Sequence, residues 1–284
     1  MKTVGILGPK GTHSEEAALW LKKFLREDWR LEICADIFDV LNAVKDRKID
    51  AGLVPVENSL EGSINITLDT LARSDTLTIN RELIWKVQNF LMTRPNVDAQ
   101  SVTKIFSHAQ PLAQCRKFLH KNFPDAEIVA TASTARAAEL VAASDENFAA
   151  VCTMRAGKLN GLTVVAQNIQ DNPNNSTRFF EICYRPRDAA PIETFDGDKV
   201  LIICQIDGSR AGSLCSVLEE FARRNVNMTR IESRPARTIL GAYIFFFELE
   251  TDAGDVALNA AIRAVYDKSI WLKNLGVFSV IRSD

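Results

Sequence analysis

One order of elements occurs twice in the first two thirds of this 284-residue chain, and it leaves few folds open. Val4–Leu7 is a short apolar run that ends in the turn Gly8-Pro9-Lys10-Gly11. An amphipathic stretch follows from about Glu15 to Leu25, with Thr12 or Ser14 placed to cap it. Next come an apolar run at Leu31–Ala35, a helical pattern at Phe38–Lys45 and a third apolar run at Ala51–Val56. That run closes on Glu57-Asn58-Ser59, and Ser63 can cap a helix through Leu71. The middle of the chain repeats the order. Lys104–Phe106 is extended, Ser107-His108 opens a helix through Leu119, and Glu127–Ala130 is extended again. Ser133 caps a helix through Ala142, and Phe148–Cys152 is the last run. Short apolar runs alternating with helices specify parallel βαβ units, so each copy of roughly fifty residues predicts one α/β lobe. The chain is expected to cross between lobes near Leu77–Met92 and again near Val164–Phe180.

Ligands of open α/β sheets bind beyond the carboxyl ends of the strands. Here those ends carry Gly8–Ser14, Glu57–Ser59, Ser107–His108 and Ser133-Thr134. Several of these turns precede helices, whose free N–H groups favour carboxylates or phosphates. The pattern therefore predicts an anion-binding cleft between two lobes. A net charge of −2 without a long basic run excludes a general nucleic-acid binder. Three widely separated histidines argue against a zinc site, and six cysteines without a CxxC pair read as reduced thiols. Met1-Lys2-Thr3 leads into an apolar run that Gly8-Pro9 soon breaks, which is neither a signal peptide nor a membrane span. A cytoplasmic protein with no membrane partner is the expectation.

Arg185–Gly197 reads as a linker, with two prolines and mixed charge. Beyond it the order changes. Strands are expected at Lys199–Ile206, Val226–Ser233, Gly241–Glu250 and Gly276–Ile281, with helices at Ala211–Arg223 and Val256–Tyr266. This is the ferredoxin-like βαββαβ motif, and it predicts a separate domain over 198–284 after a two-lobed unit over 1–184. The run Phe245-Phe246-Phe247 reads as the buried centre of a strand whose rings face alternately to two sides.

The densest polar cluster is Ile169-Gln170-Asp171-Asn172-Pro173-Asn174-Asn175-Ser176-Thr177-Arg178-Phe179. Alone it describes a surface loop running into a strand. Together with Gly8-Pro9-Lys10-Gly11-Thr12-His13-Ser14-Glu15, Val54-Pro55-Val56-Glu57-Asn58-Ser59-Leu60-Glu61-Gly62, Ser107-His108-Ala109-Gln110, Gln114-Cys115 and Ser133-Thr134-Ala135, it resembles the prephenate dehydratases. The C-terminal part resembles the ACT regulatory domain of that family through Glu232-Ser233-Arg234-Pro235, preceded by Asn227–Ile231. A second regulatory signature, Gly-Ala-Leu-Tyr, is here Gly212-Ser213-Leu214-Cys215. The resemblance implies a periplasmic-binding-protein-like (type II) catalytic unit plus an ACT domain. It implies the monofunctional form, since no chorismate-mutase segment precedes Gly8, with phenylalanine as effector and a homodimer or homotetramer. The effector pocket would be built from Gly212, Ser213, Leu214 and Glu232, Ser233, Arg234, Pro235.

The implied reaction expels hydroxide from a cyclohexadienol while a ring carboxylate leaves as carbon dioxide. Aromatisation drives it, so neither cofactor nor metal is expected. Its main need is a donor to the departing hydroxyl. Thr177 is the first candidate, as a positioned hydrogen-bond donor, and Glu57 is the alternative acid if burial keeps it protonated. Asn58, Ser107 and Gln114 are neutral catalytic candidates. Thr12, Ser14, Ser59, Gln110, Ser133 and Thr134 are expected to bind substrate, and Arg178 to pair with the pyruvyl carboxylate. In an extended Thr177–Phe179, however, Thr177 and Arg178 point to opposite faces, and only one of them reaches the substrate. His13 is expected to pack, His108 to support a helix start and His120 to be solvated. Two other readings remain open: a non-catalytic anion binder of the same shape, and an enzyme acting on arogenate, the amino analogue.

Overall fold

Apolar runs become strands and amphipathic stretches become helices in a computed structural model that describes residues 1–238, 241–252 and 254–283. The first lobe opens with β1 (Lys2–Leu7), α1 (His13–Leu25), β2 (Trp29–Cys34), α2 (Ile37–Lys45) and β3 (Ala51–Asn58). Its three strands are parallel in the order β2-β1-β3. Helical spacing puts Ala17, Ala18 and Leu21 of α1, and Val40, Leu41 and Val44 of α2, into the core. Asp36 caps α2 by accepting from the Asp39 N–H at 2.7 Å. The two-residue β4 (Gly62–Ser63) and α3 (Asn65–Arg73) then lead to β5 (Leu77–Lys86). Ser63 does not cap α3: its hydroxyl donates to Glu232 at 2.8 Å instead.

The chain crosses at 87–89 into the second lobe, inside the expected window. There it forms β6 (Phe90–Thr93), β7 (Lys104–Ser107), α4 (Ala109–Gln114), α5 (Arg116–Asn122), β8 (Glu127–Ala130), α6 (Thr134–Ala143), β9 (Phe148–Cys152), α7 (Met154–Leu159) and β10 (Thr163–Ala166). The five strands lie in the order β10-β6-β9-β7-β8. One helix expected from Ser107 through Leu119 is two, because the backbone leaves helical geometry at Cys115 (φ −110°, ψ 12°). The chain returns through 167–175 to β11 (Ser176–Tyr184), which runs antiparallel between β3 and β5.

Pro55 sits inside β3, a central strand, where its missing N–H would break a ladder. The sheet accommodates it with a register shift: Arg178 pairs with Glu57, but Phe179 pairs with Pro55. The bulge sits one residue before Glu57-Asn58 and sets the direction in which both side chains leave the strand.

Beyond the 185–197 segment come β12 (Lys199–Ile206), α8 (Ser213–Ala222), β13 (Met228–Pro235), β14 (Tyr243–Glu250), α9 (Asp255–Asp267) and β15 (Ser269–Arg282). This is the expected βαββαβ order, with strands arranged β13-β14-β12-β15. The last strand begins at Ser269 rather than Gly276, and its 14 residues serve two neighbours. Ser269 to Phe278 pair with β12, whereas Ser279 to Arg282 pair in parallel with β5 of the first lobe. The two sheets are thus one ten-stranded sheet. Their cores merge as well. Leu201, Ile203, Ile244 and Phe246 pack in one cluster with Leu41, Val54, Leu68 and Phe180, while Phe247 packs on the other face with Val217, Phe221 and Leu258. Among the described residues no helix is long and apolar enough to cross a membrane.

Candidate active site

Thr177 pairs with Asn58 across β11 and β3, at the carboxyl end of β3. Asn58 Nδ2 donates to Thr177 Oγ1 at 3.0 Å and to Asn175 Oδ1 at 3.0 Å, and Asn58 Oδ1 accepts from the Leu60 N–H at 3.0 Å. Asn175 Nδ2 in turn donates to Gln114 Oε1 at 2.9 Å, so the row runs from the first lobe across the return crossing into the second. Every member is uncharged. Because Asn58 donates to the Thr177 oxygen, the threonine keeps its own proton for another acceptor. Ser59 holds the return crossing in place: its hydroxyl donates to Asn174 O at 3.4 Å and accepts from the Ser176 N–H at 2.9 Å.

The loop Gly8–Ser14 closes against the second lobe. Thr153 Oγ1 donates to Gly11 O at 2.7 Å, and the Arg155 N–H donates to Glu16 at 3.2 Å. Gly11 has φ +85°, and a Cβ there would meet Ala156 Cα at 3.0 Å. Only glycine suits both the turn and this approach. Thr12 does not cap α1: its hydroxyl bonds Leu7 O at 3.3 Å, while Glu15 accepts from the Gly11 N–H at 2.5 Å. Ser14 is buried in the first turn of α1. In the second lobe, Ser133 caps α6 by accepting from the Arg136 N–H at 3.0 Å, Thr134 is buried beside it, and Gln110 is half-buried in the first turn of α4.

Three of the expected site residues are placed otherwise. Ser107 is fully buried on β7 and its hydroxyl donates to Val151 O at 2.6 Å, so that proton is already used. Glu57 and Arg178 stand on the sheet face opposite Asn58 and Thr177. Arg178 Nη1 donates to Glu57 at 2.7 Å, Nη2 to both oxygens of Glu248 at 2.7 and 2.9 Å, and Nε to Glu82. A guanidinium committed to three carboxylates has no edge left for a substrate carboxylate. Glu57 accepts from Arg178 and stands 3.6 Å from Arg230, away from Thr177 and Asn58.

Three neutral residues without a polar role in the sequence reading, His13, Trp85 and Asn89, join Gln114 in carrying unpaired polar atoms. Both ring nitrogens of His13, both amide atoms of Asn89, Trp85 Nε1 and Gln114 Nε2 are buried without a hydrogen-bond partner. Burial pushes the His13 imidazole down to about 4, against a lesser opposing pull from the neighbouring Asn89 amide. Trp85 pairs with Thr177 on β5, and the Asn89 N–H donates to Gln170 Oε1 at 3.1 Å within the two crossings. Each unmade bond of this kind costs about 1–3 kcal/mol. Trp85 and Gln114 adjoin the Thr177–Asn58–Asn175 row, and unpaired buried groups beside it could serve a polar ligand. The sequence signal was faint: Gln170 and Asn175 lie within the polar cluster, whereas Trp85 and Asn89 fall in the expected crossing at Leu77–Met92 with no polar motif around them.

The expected effector residues divide between two faces. A cavity of about 380 Å³ is lined by Gly208, Arg210, Gly212, Ser213, Leu214, Cys215, Tyr243 and Phe245, among others. Ser233 and Pro235 pair with Phe245 and Tyr243 and so share the cavity's sheet face. Glu232 and Arg234 point the other way, toward the first lobe. Glu232 accepts from Ser63, and Arg234 donates to Asp69 at 3.1 Å and to Asn65 at 2.6 Å. Alternation along β13 makes this division unavoidable.

Residues 4–187 match the family model described as prephenate dehydratase, and residues 201–265 match the ACT domain. A prephenate dehydratase of Methanocaldococcus jannaschii is 35% identical over 273 residues, covering 96% of each chain. Among solved structures, the prephenate dehydratase of Arthrobacter aurescens in complex with L-Phe superposes with a TM-score of 0.85 at 33% identity, covering 98% of this chain and 90% of that one. GqqA, described as a novel type of quorum quenching acylase, superposes with a TM-score of 0.84 at 26% identity, covering 98% and 97%.

Proposed function

The chain belongs to the prephenate dehydratase family, and from that premise we propose that it converts prephenate to phenylpyruvate, carbon dioxide and water in the cleft between its lobes. The observation that carries this reading is the neutral row Thr177–Asn58–Asn175–Gln114. The C–O bond at the ring hydroxyl breaks, the ring-to-carboxylate C–C bond supplies its electron pair to the ring, and the leaving hydroxide takes up one proton, drawn from solvent, to become water. Thr177, held at its oxygen by Asn58, directs its own O–H at that leaving oxygen. The departing carboxylate must become neutral, so a cation gripping it would stabilise the ground state over the transition state. A floor of amides, an indole and an uncharged imidazole suits that end of the substrate.

The ACT domain supports a second part of the proposal: phenylalanine, the amino acid formed from phenylpyruvate, binds the cavity at Gly212–Cys215 and lowers turnover as a feedback signal. The Gly212 turn (φ +81°) at the start of α8 offers backbone N–H groups to a carboxylate, and Phe245 and Leu214 offer apolar walls to a ring. We further propose a homodimer or homotetramer. β13 is one end strand of the ten-stranded sheet, and Ile231 on it and Tyr243 beside it are exposed. A cytoplasmic setting agrees with the free state of all six cysteines.

Purified protein incubated with prephenate tests the reading. Phenylpyruvate should accumulate without added cofactor, and phenylalanine should suppress it. Binding of prephenate without product would leave only the anion-binder interpretation, and faster turnover of arogenate would move the substrate to the amino analogue. Likeness to GqqA adds one arm, a chromogenic N-acyl amide. Hydrolysis is not expected, because Thr177 leans on an amide rather than a base and Ser107 is bonded to Val151 O.

A further inference from the structure

We infer that Glu248, a residue of the C-terminal domain, is a positioning residue for the dehydration: it fixes the strand that presents Thr177 by holding the neighbouring Arg178 from the far face of the sheet. The inference rests on the proposed dehydratase reading and adds a residue to it from outside the cleft.

Glu248 lies on β14 and its side chain is only 1% exposed. Both its oxygens accept from Arg178 Nη2, at 2.9 and 2.7 Å. Lys199 stands 3.5 Å and Arg230 3.4 Å from the same carboxylate, both also from the C-terminal domain. From the first lobe, Glu82 on β5 and Glu57 on β3 take the other edges of the guanidinium. Three cations, Arg178, Lys199 and Arg230, thus meet Glu57, Glu82 and Glu248 in a largely buried layer between sheet and domain, and Arg230 also reaches Glu232 at 3.3 Å.

Arg178 cannot relax when one of these partners is lost without moving its backbone, because its side chain is anchored at Nε and both Nη atoms. Thr177 is the adjacent residue on that backbone. Its oxygen sits 3.0 Å from Asn58 Nδ2, a contact that a shift of a few tenths of an ångström changes in strength. Glu57 and Glu82 belong to the strands that flank β11, so they move with it. Glu248 belongs to another domain and, among the described residues, is the one carboxylate through which that domain grips Arg178. The ionic layer does nothing for substrate affinity by contact, since it faces away from the cleft. Its effect falls on the reaction step.

Glu248→Gln in the full-length protein tests this, with kcat and KM for prephenate as the readout. kcat should fall about tenfold or more while KM stays within about twofold, as expected when a reacting group is misplaced without loss of binding contacts. Glu220→Gln is the matched control: Glu220 is a buried carboxylate of the same domain, paired with Arg224 and Lys268 and remote from Arg178. It should leave kcat at the wild-type value. Glu248→Asp retains the charge but withdraws the carboxylate, and its loss should lie between those of wild type and Gln; it also serves if the Gln variant fails to fold. In an Arg178→Met background, Glu248→Gln should cost no further activity, because its route to Thr177 is already cut. Equal kcat losses for the Glu248 and Glu220 variants, or a Glu248 effect that persists without Arg178, would overturn the inference while the dehydratase reading stands. No turnover by the wild-type protein would overturn both.

Discussion

Thr177 and Arg178 are consecutive on β11, yet Thr177 bonds Asn58 on one face of the sheet while Arg178 bonds Glu57, Glu82 and Glu248 on the other. One strand therefore separates two chemistries. Around Thr177 the bonded row of Asn58, Asn175 and Gln114 is neutral, which suits the proposed reaction. The domain face is ionic, with Glu82 and Glu248 fully buried against Arg178 and Lys199. A motif of three residues is enough for both because strand alternation sends neighbours to opposite sides.

Removing the Thr177 hydroxyl without changing its shape isolates the donor. Thr177→Val should lower kcat by about two orders of magnitude or more, in the range seen when a preorganised hydrogen-bond donor is removed. Thr177→Ser keeps the hydroxyl and the acceptor for Asn58, and should retain most activity. Steady-state kinetics on both variants checks this, with near-equal rates for the two counting against Thr177 as the leaving-group donor.

Much of this architecture was legible from local pattern. The alternating runs gave both lobes, both crossings and the βαββαβ order, because each depends on hydrophobic period and turn residues within a short window. What escaped was long-range. Arg178 reads as a substrate ligand in sequence, since nothing local reveals that its partners Glu57, Glu82 and Glu248 lie 121, 96 and 70 positions away. The early start of β15 escaped because Lys273 and Asn274 interrupt its apolar run, and its pairing with β5 joins residues nearly two hundred positions apart. Trp85 and Asn89 look like filler in a strand and a crossing. Only the geometry shows their polar atoms unpaired at the cleft floor.

The ionic layer makes a prediction about acid. Burial alone would push the Glu248 carboxyl up, but Arg178, Lys199 and Arg230 more than reverse this and hold it below its ordinary 4.5. A carboxyl with a depressed folded-state value contributes stability above its unfolded-state value and loses it as pH falls through the folded one. Urea midpoints of the wild-type protein should therefore drop below about pH 4.5. Glu248→Gln should start lower at neutral pH and fall less steeply in that window. Parallel curves for the two proteins would show that Glu248 is not a source of the acid sensitivity.

Continuity of the sheet bears on truncation. A domain strung on the 185–197 segment could be cut away with catalysis preserved. Here β15 covers the edge of β5 at Ser279–Arg282, and Leu201, Ile203 and Phe246 share a core with Leu68 and Phe180. Ending the chain after Gly197 exposes that core and a bare strand edge, and strips Glu248 and Lys199 from Arg178 and Glu82. The shortened protein should aggregate or melt well below the full chain, rather than survive as an active, phenylalanine-insensitive enzyme. Soluble yield, thermal melting and turnover of the truncated chain distinguish these outcomes.

His13 offers the most direct probe of the unpaired cleft floor. Its imidazole titrates at about 4 because burial opposes its charge, whereas an unfolded chain titrates near the ordinary 6.5. Between these values the unfolded state binds a proton that the folded state refuses, so stability falls as pH drops from 6.5 toward 4 and is independent of this group above 6.5. The slope for one such proton is about 1.4 kcal/mol per pH unit. His13→Phe fills the same space without a titrating group or unpaired nitrogens. It should remove that part of the slope and raise stability at acid pH, while prephenate KM rises if the neutral imidazole contacts the ligand. Urea unfolding across this range, paired with KM at neutral pH, reads both effects. An unchanged slope would mean that the imidazole in solution is hydrated and free to charge, and the uncharged cleft floor would lose one of its members.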